Sequence, residues 1–292
     1  MSAERLLVLG DTGLAGTAIL QAARSRGLAV TGASRHGERA VDLCDVAALR
    51  ALIAAVSPSA VINAAALVSV ADCERDPARA WLVNARPAAV IADVARQAQI
   101  RFVQISTDHF YSGDGRRAHR EDEPVVLLND YARSKYAAEA FALTAPDALV
   151  VRTNILGLKS ATGGSFGEWA LGVIEADAEA VLFEDQFVSI LDIWSFADGL
   201  LDLATTDARG LINLASCEVF SKAELVEALA AALGRTLTRA KRGSVGTLDV
   251  RRPDSLGLDV TRAQAILGWS APDLAAVASR FAAKVQSERA RP

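Results

Sequence analysis

Short apolar runs alternate along this chain with longer segments whose apolar positions recur at helical spacing. The first run, about residues 5–10, reads Leu6-Leu7-Val8-Leu9 and ends in Gly10, and helical spacing follows from about Leu14 to Ser25. A second run near 28–33 precedes a helix near Val46–Ala55, and Pro58–Asn63 predicts a third strand. An alanine-rich helical region follows at about 77–97, its start marked by Asp76-Pro77, since proline suits the first turn of a helix. Arg101–Ile105 predicts a fourth strand ending in Ser106-Thr107-Asp108. A glycine-containing loop (Tyr111–Gly115) and an acidic stretch (Glu121-Asp122-Glu123-Pro124) lead to a helix carrying Tyr131 and Lys135, then to a strand at Leu149–Arg152. Continuous apolar strands separated by helices imply a parallel sheet covered on both faces.

Beyond about residue 155 the alternation weakens. The pattern there predicts a helix near 166–176, short strands near 181–190, helices near 195–204, 221–233 and 262–268, and a short charged tail after Val285. No internal repeat or low-complexity tract interrupts it.

Apolar residues make up 51% of the 292, enough for a sheet buried on both sides. Net charge is -4 with no basic stripe, which argues against a nucleic-acid surface. The three cysteines, Cys44, Cys73 and Cys217, lie far apart without Cys-x-x-Cys spacing. They are expected to be small core residues in a reducing cytoplasm rather than a disulfide framework. The first apolar run ends at once in glycine, so no signal peptide is expected, and no segment nears the roughly 20 apolar residues of a membrane span. A soluble cytoplasmic protein is the expectation.

Gly10-Asp11-Thr12-Gly13-Leu14-Ala15-Gly16 joins the first strand to its helix. Glycines at these spacings permit a tight turn, close approach of backbone to phosphate and close packing of helix on strand. The helix N-terminus then directs amides and positive dipole at a pyrophosphate. Gly10, Thr12, Gly13, Leu14 and Gly16 are therefore the expected dinucleotide cradle. The implied class is α/β, a Rossmann doubly wound parallel sheet with a smaller C-terminal substrate lobe. Residues 1–155 would form the dinucleotide-binding domain and 156–292 mainly the substrate lobe, with segments near 181–206 returning to the first domain.

The second strand ends in Gly32-Ala33-Ser34-Arg35. A carboxylate there would accept hydrogen bonds from the adenosine ribose. None is present, whereas Arg35 can pair with a 2′-phosphate and Ser34 can hydrogen-bond it, so NADPH is favoured and NADH stays possible. Arg35 as an ordinary solvated loop residue is the alternative, with His36 and Glu38 leaving the register open. Asp42-Leu43 are placed to reach the adenine. Ala64-Ala65-Ala66, after Asn63, keep a strand end small where the cofactor would lie, and Asn84 is a further candidate in the long helical region.

Tyr131 and Lys135 are four apart and share a helical face. An ammonium beside a phenol lowers the phenol's pKa from about 10 toward neutrality, so the tyrosine can give a proton to a carbonyl oxygen as hydride reaches the carbon. Thr107, closing the fourth strand, can hydrogen-bond the same oxygen. The acidic run Glu121-Asp122-Glu123 lacks convergent ligand spacing, so no metal site is expected.

The order of glycine loop, Asn-Ala-Ala-Ala, Ser-Thr-Asp, Tyr-x-x-x-Lys and Arg152-Thr153 resembles the extended short-chain dehydrogenase/reductases, and among them the dTDP-4-dehydrorhamnose reductase group. Leu128-Asn129-Asp130-Tyr131-Ala132-Arg133-Ser134-Lys135 with Glu139 matches that group's catalytic helix, and Asp185-Gln186, Arg252-Pro253 and Leu258-Asp259 are similar to its C-terminal half. The resemblance implies NAD(P)H-dependent reduction of the 4-keto group of a nucleotide-linked 4-keto-6-deoxysugar. It carries Thr107, Tyr131 and Lys135 over as catalytic residues, Tyr131 and Lys135 also touching the cofactor. It places Val68, Asp108, His109, Asn154 and Gln186 around the substrate. This chain departs from the group's pattern at Leu67-Val68, at His109, at Asn154-Ile155 and at Phe187-Val188-Ser189-Ile190. These are substrate positions, so a related keto-sugar nucleotide fits better than dehydrorhamnose itself. His109 is read as a substrate contact, an auxiliary acid or a structural residue.

Three other readings stay open. A 4,6-dehydratase would carry Asp-Glu after the threonine, where this chain has Asp108-His109. An epimerase would use the same tyrosine and lysine with bound NAD. A non-catalytic NADP-binding regulatory subunit would retain the fold, as do relatives that partner an adenosyltransferase. A homodimer is the default assembly.

Overall fold

A computed structural model describes residues 5–37, 39–158 and 164–289. The chain divides into two compact units. The first comprises residues 1–107, 127–152 and 197–212, and the second 108–126, 153–196 and 213–292. Residues 108–126 belong with the second unit, and the segment that rejoins the first is 197–212, which shares 197–206 with the expected returning stretch.

The first unit is built on a six-stranded sheet. Across the sheet the strands run Gly210–Asn213, Ala148–Arg152, Arg101–Ile105, Ala60–Asn63, Arg5–Leu9 and Ala29–Ala33. From Ala148–Arg152 to Ala29–Ala33, neighbours pair in parallel. Every residue of Ala60–Asn63 and Ala148–Arg152 is buried, which is why these strands carry no polar alternation. The core packs Leu7, Leu9, Val61, Phe102 and Val150 from the sheet against Leu49, Ile53 and Ile91 from the helices.

Strand Arg5–Leu9 lies between the second strand and the third, so the winding reverses beside it. Ligands of open α/β sheets bind at the carboxyl ends of strands where such a reversal occurs. That point is where Gly10 and Ala64 emerge.

Several helices begin at a side-chain cap. Asp45 accepts from the Ala48 amide at 3.0 Å to open Val46–Val56, and Asn129 accepts from the Ala132 amide at 2.9 Å to open Asp130–Ala142. The helical region after Asp76 starts as expected, with Pro77 in its first turn and Asp76 capping it. It is not uniform: Pro77–Ala80 leads into a wider π turn at Trp81–Ala85, and α-helix resumes over Arg86–Ala98. A short helix, Val70–Arg75, precedes it, capped by Ser69.

The second unit has a core of Phe220, Leu225, Leu229, Leu256, Val277 and Phe281. Helices Phe166–Ala176 and Lys222–Ala232 each open with a reciprocal capping box, Ser165 with Glu168 and Ser221 with Glu224. Of the segment expected as a charged tail after Val285, the described residues are helical: they end the helix Leu274–Arg289, whose Val277, Ala278, Phe281, Ala282 and Val285 are buried, and residues 290–292 lie outside the described residues. Cys73 is buried, Cys44 half-buried and Cys217 exposed, so the third cysteine is a surface residue and not a core one. Among the described residues no helix is long and apolar enough to cross a membrane.

Candidate active site

Gly10 has φ +84°, and a Cβ there would lie 2.8 Å from the Ala65 backbone. The first and third strand ends therefore touch at the reversal point, and only glycine permits it. The Gly13 amide donates to the Gly10 carbonyl at 2.9 Å, closing the turn. At Gly16 a Cβ would overlap the same carbonyl, so the helix Leu14–Ser25 sits against the loop. Gly13 is the N-cap of that helix and offers no side-chain cap, and no acidic residue occupies the first turn. The first-turn amides of Leu14, Ala15 and Gly16 face an external anion, while Thr12 stands exposed on the loop. This cradle fits a dinucleotide pyrophosphate.

At the end of the second strand Ser34 is buried, and its hydroxyl lies 3.2 Å from that of Thr12. Arg35 is exposed immediately after it, while Glu38 lies outside the described residues. The Arg35 charge is felt at Cys44, where it opposes the upward push that burial gives the thiol. Asp42 is exposed and accepts the Cys44 amide at 2.9 Å, but Leu43 packs against the hydrophobic core.

Ala64, Ala65 and Ala66 form a half-buried turn beside the glycine loop. Asn63, beneath them, is buried and donates to Gln104 at 2.8 Å. Asn84 projects from the π turn, a form of winding found often at functional sites. It accepts the Leu67 amide at 2.7 Å, and its amide group donates to the Leu67 carbonyl at 3.1 Å and to Ser134 at 3.0 Å. Those bonds hold the loop after the alanines to the helix of Tyr131.

Thr107 is buried just past the fourth strand, and Tyr131 and Lys135 are buried on their helix. Lys135 Nζ donates to the Ile105 carbonyl at 2.7 Å, so the ammonium sits at the strand end that leads into Thr107. Burial pulls the Lys135 pKa down to about 8 from 10.5, and the Glu139 carboxylate one turn along partly opposes the fall. Glu139 also takes a bidentate pair of hydrogen bonds from Arg152, at 2.9 and 2.7 Å, and a third from Ser106 at 2.5 Å. All three residues are buried. The pair fixes the residue before Thr107 to the helix of Tyr131 and Lys135.

In the second unit a separate polar cluster begins at Asp108, the residue after Thr107. Asp108 is buried and accepts from Asn154 at 2.6 Å. The Asp108 carboxylate supports the cationic form of Lys222, whose pKa burial and Arg252 together bring down to about 8. Lys222 Nζ lies 3.8 Å from the centre of the Phe166 ring, within cation–π range. His109 is driven the other way from an acid: burial first, then Lys222 and Arg252, lower its pKa from 6.5 to about 3. Burial beside these two cations favours its neutral imidazole over the protonated, acidic form. Gln186 is buried, donating to the Pro253 carbonyl at 3.0 Å, and Val68 is exposed.

Lys222 is the residue that sequence reasoning missed. Ser221 and Glu224 announce a helix start there, but nothing local indicates that Asp108 faces it. In the acidic run, Glu121 accepts from the Asn213 amide and Glu123 pairs with His119 and Arg117. No group of three metal-ligating side chains occurs among the described residues.

The model of the RmlD substrate binding domain family matches residues 4–287. The probable low-salt glycan biosynthesis reductase Agl14 of Haloferax volcanii is 28% identical over 292 residues, covering 94% of this chain and 97% of that protein. A dTDP-4-dehydrorhamnose reductase of Streptomyces griseus is 34% identical over 183 residues, 62% of this chain and 58% of that protein. Among solved structures, dTDP-4-dehydrorhamnose reductase from Bacillus anthracis in complex with NADP superposes with TM-score 0.87 at 19% identity, over 96% of this chain and 99% of that one. That last likeness is one of fold.

Proposed function

Because the chain belongs to the RmlD substrate binding domain family, we propose that it is an NADPH-dependent reductase of the 4-keto group of a nucleotide-linked 4-keto-6-deoxysugar. The observation that carries this reading is the convergence of two features on one sheet edge. The uncapped glycine loop stands at the winding reversal, and the buried Lys135 ammonium is anchored at the strand end before Thr107. Relatives named as reductases of dTDP-linked 4-keto sugars support the substrate class.

When bound, the cofactor supplies hydride to the carbonyl carbon. Gly10, Gly13 and Gly16 leave room for its pyrophosphate, and the free first-turn amides of Leu14–Ser25 bind the charge. Arg35 and Ser34 are the proposed contacts for a 2′-phosphate, with Thr12, Leu14, Asp42 and Ala64 to Ala66 lining the rest of the dinucleotide's path. Tyr131 gives its phenolic proton to the sugar oxygen as the carbon is reduced. Thr107 donates a hydrogen bond to that oxygen, polarising it. Lys135 stabilises the phenolate left on Tyr131 and takes the nicotinamide ribose through its remaining donors. Asp108, His109, Asn154 and Lys222 bind the sugar and its diphosphate, Lys222 as cation and His109 as neutral imidazole. On the same reading the enzyme is cytoplasmic and pairs with a second copy of itself.

Transfer of deuteride from NADPH labelled at the 4-pro-R or 4-pro-S position tests the reaction class directly. Deuterium at C4 of the sugar, detected by NMR in the isolated product, is the expected result. Label retained on the cofactor, with only an isomerised sugar formed, would instead identify an epimerase.

A further inference from the structure

Helix Phe166–Ala176 carries two residues that packing within the second unit does not explain. Trp169, 44% exposed, is the one exposed aromatic residue of that unit among the described residues. Gly172 follows it by three positions, exposed in the interior of the helix. Glycine weakens a helix interior, and a Cβ at Gly172 would meet nothing within 4 Å. Gly167 on the same helix is different, because a Cβ there would overlap the Gly157 carbonyl oxygen. A helical side chain leans back over the preceding turn. Any side chain at position 172 would therefore lie toward the indole of Trp169, and glycine leaves that ring uncovered.

The indole ends a row of three groups. Its ring lies 5.4 Å from the Phe166 ring, at 35° to it, and Phe166 packs against the core of the unit. The Phe166 ring in turn carries the Lys222 ammonium, 3.8 Å from its centre. Lys222 is within electrostatic reach of Asp108 and Arg252. Cation, fixed ring and open ring thus follow one another over the reach of a nucleoside 5′-diphosphate from its phosphates to its base.

We propose that Trp169 is the platform on which the base of the nucleotide-linked sugar stacks, while Lys222 holds the diphosphate. The inference rests on the reading of the protein as a nucleotide-sugar reductase, and adds to it how the nucleoside is recognised. Phe166 sets the distance between the two contacts, and Gly172 keeps the face of the indole open. Stacking uses the π face that every base has, so the site selects for the presence of a base more than for its identity. A sugar phosphate without a nucleoside loses this contact.

The experiment is a calorimetric titration of the whole enzyme with dTDP, GDP and inorganic pyrophosphate, at saturating NADPH so that the dinucleotide site is filled. At least one nucleoside diphosphate is expected to bind the wild type about tenfold or more tightly than pyrophosphate, the effect of one base stacked on an aromatic ring. Trp169→Ala should abolish that advantage and leave pyrophosphate affinity within about twofold of the wild type. Trp169→Phe should keep most of it. Gly172→Leu is the second variant, and it separates binding from folding. Leucine strengthens the helix, yet its side chain should cover the indole and weaken the nucleotide about fivefold or more. An advantage over pyrophosphate that survives in folded Trp169→Ala, judged by circular dichroism, would overturn the role of Trp169. So would a wild type that binds pyrophosphate as tightly as either nucleotide. Both results leave the reductase reading in place. Failure of the NADPH-loaded wild type to bind any of the three would overturn the nucleotide-sugar reading itself, and this proposal with it.

Discussion

Glu139→Gln removes the negative charge that the Arg152 guanidinium meets in a buried, hydrogen-bonded pair. The side chains of Arg152 and Glu139 are each about 2% exposed, so water cannot compensate. Stripping one partner from such a pair costs about 3–5 kcal/mol. A typical domain has only about 5–15 kcal/mol in total, so the loss is a large share. The bidentate geometry, with a third bond from Ser106, places the expectation toward the upper end. Urea denaturation followed by circular dichroism, at matched slopes, measures it. The double variant Glu139→Leu with Arg152→Met should recover most of the loss, because a buried pair replaced by apolar side chains is often near neutral. Activity should not return with stability, since the double variant no longer ties Ser106, and hence Thr107, to the catalytic helix. A Glu139→Gln penalty under about 1 kcal/mol, or a double variant as active as the wild type, would refute this account of the pair.

Other consequences follow from the same geometry. Lys135 acts as a cation, so turnover should fall as pH rises through about 8; a pH–rate profile flat to pH 10 would contradict this. The unfolded chain holds that proton up to about 10.5 and the folded chain only to about 8, so this group adds stability as pH rises between those values. Urea midpoints of the wild type and Lys135→Met across that window measure the effect. His109→Asn should leave the shape of the pH–rate profile between pH 6 and 8 unchanged, because the imidazole is already neutral there; loss of a limb in that range would restore it as an acid. Gly10→Ala meets both a positive φ and the Ala65 backbone at 2.8 Å, and should weaken NADPH binding at least tenfold by titration while costing about 1–3 kcal/mol of stability.

What could be read from the chain divides along physical lines. The strands of the first unit were legible because a strand buried on both faces is a continuous apolar run, as in Leu6-Leu7-Val8-Leu9. The helix start at Asp76-Pro77 was legible because its cap is local. Helix Leu274–Arg289 was not: alanines surround its apolar stripe and blur the contrast between faces, and charged residues at its end resemble a tail. The two-residue strands of the second unit, such as Ala118–His119, exist only through partners like Gly257–Leu258, distant in sequence. The candidate site shows the same split. The glycine loop and the Tyr131–Lys135 spacing are local signals. The duty of Asn84 depends on Leu67 and Ser134, and that of Lys222 on Asp108, so neither shows in a local pattern.

The central claim is that Tyr131 protonates a sugar carbonyl during reduction by NADPH. It is tested most directly by following NADPH oxidation with a panel of nucleotide-linked 4-keto-6-deoxysugars, using the wild type and Tyr131→Phe side by side. The account predicts oxidation with at least one member of the panel. It also predicts a loss of turnover on the order of 10²-fold or more in the variant, with the NADPH dissociation constant nearly unchanged. Tight NADPH binding without oxidation of any substrate, or near-normal turnover by Tyr131→Phe, would contradict it.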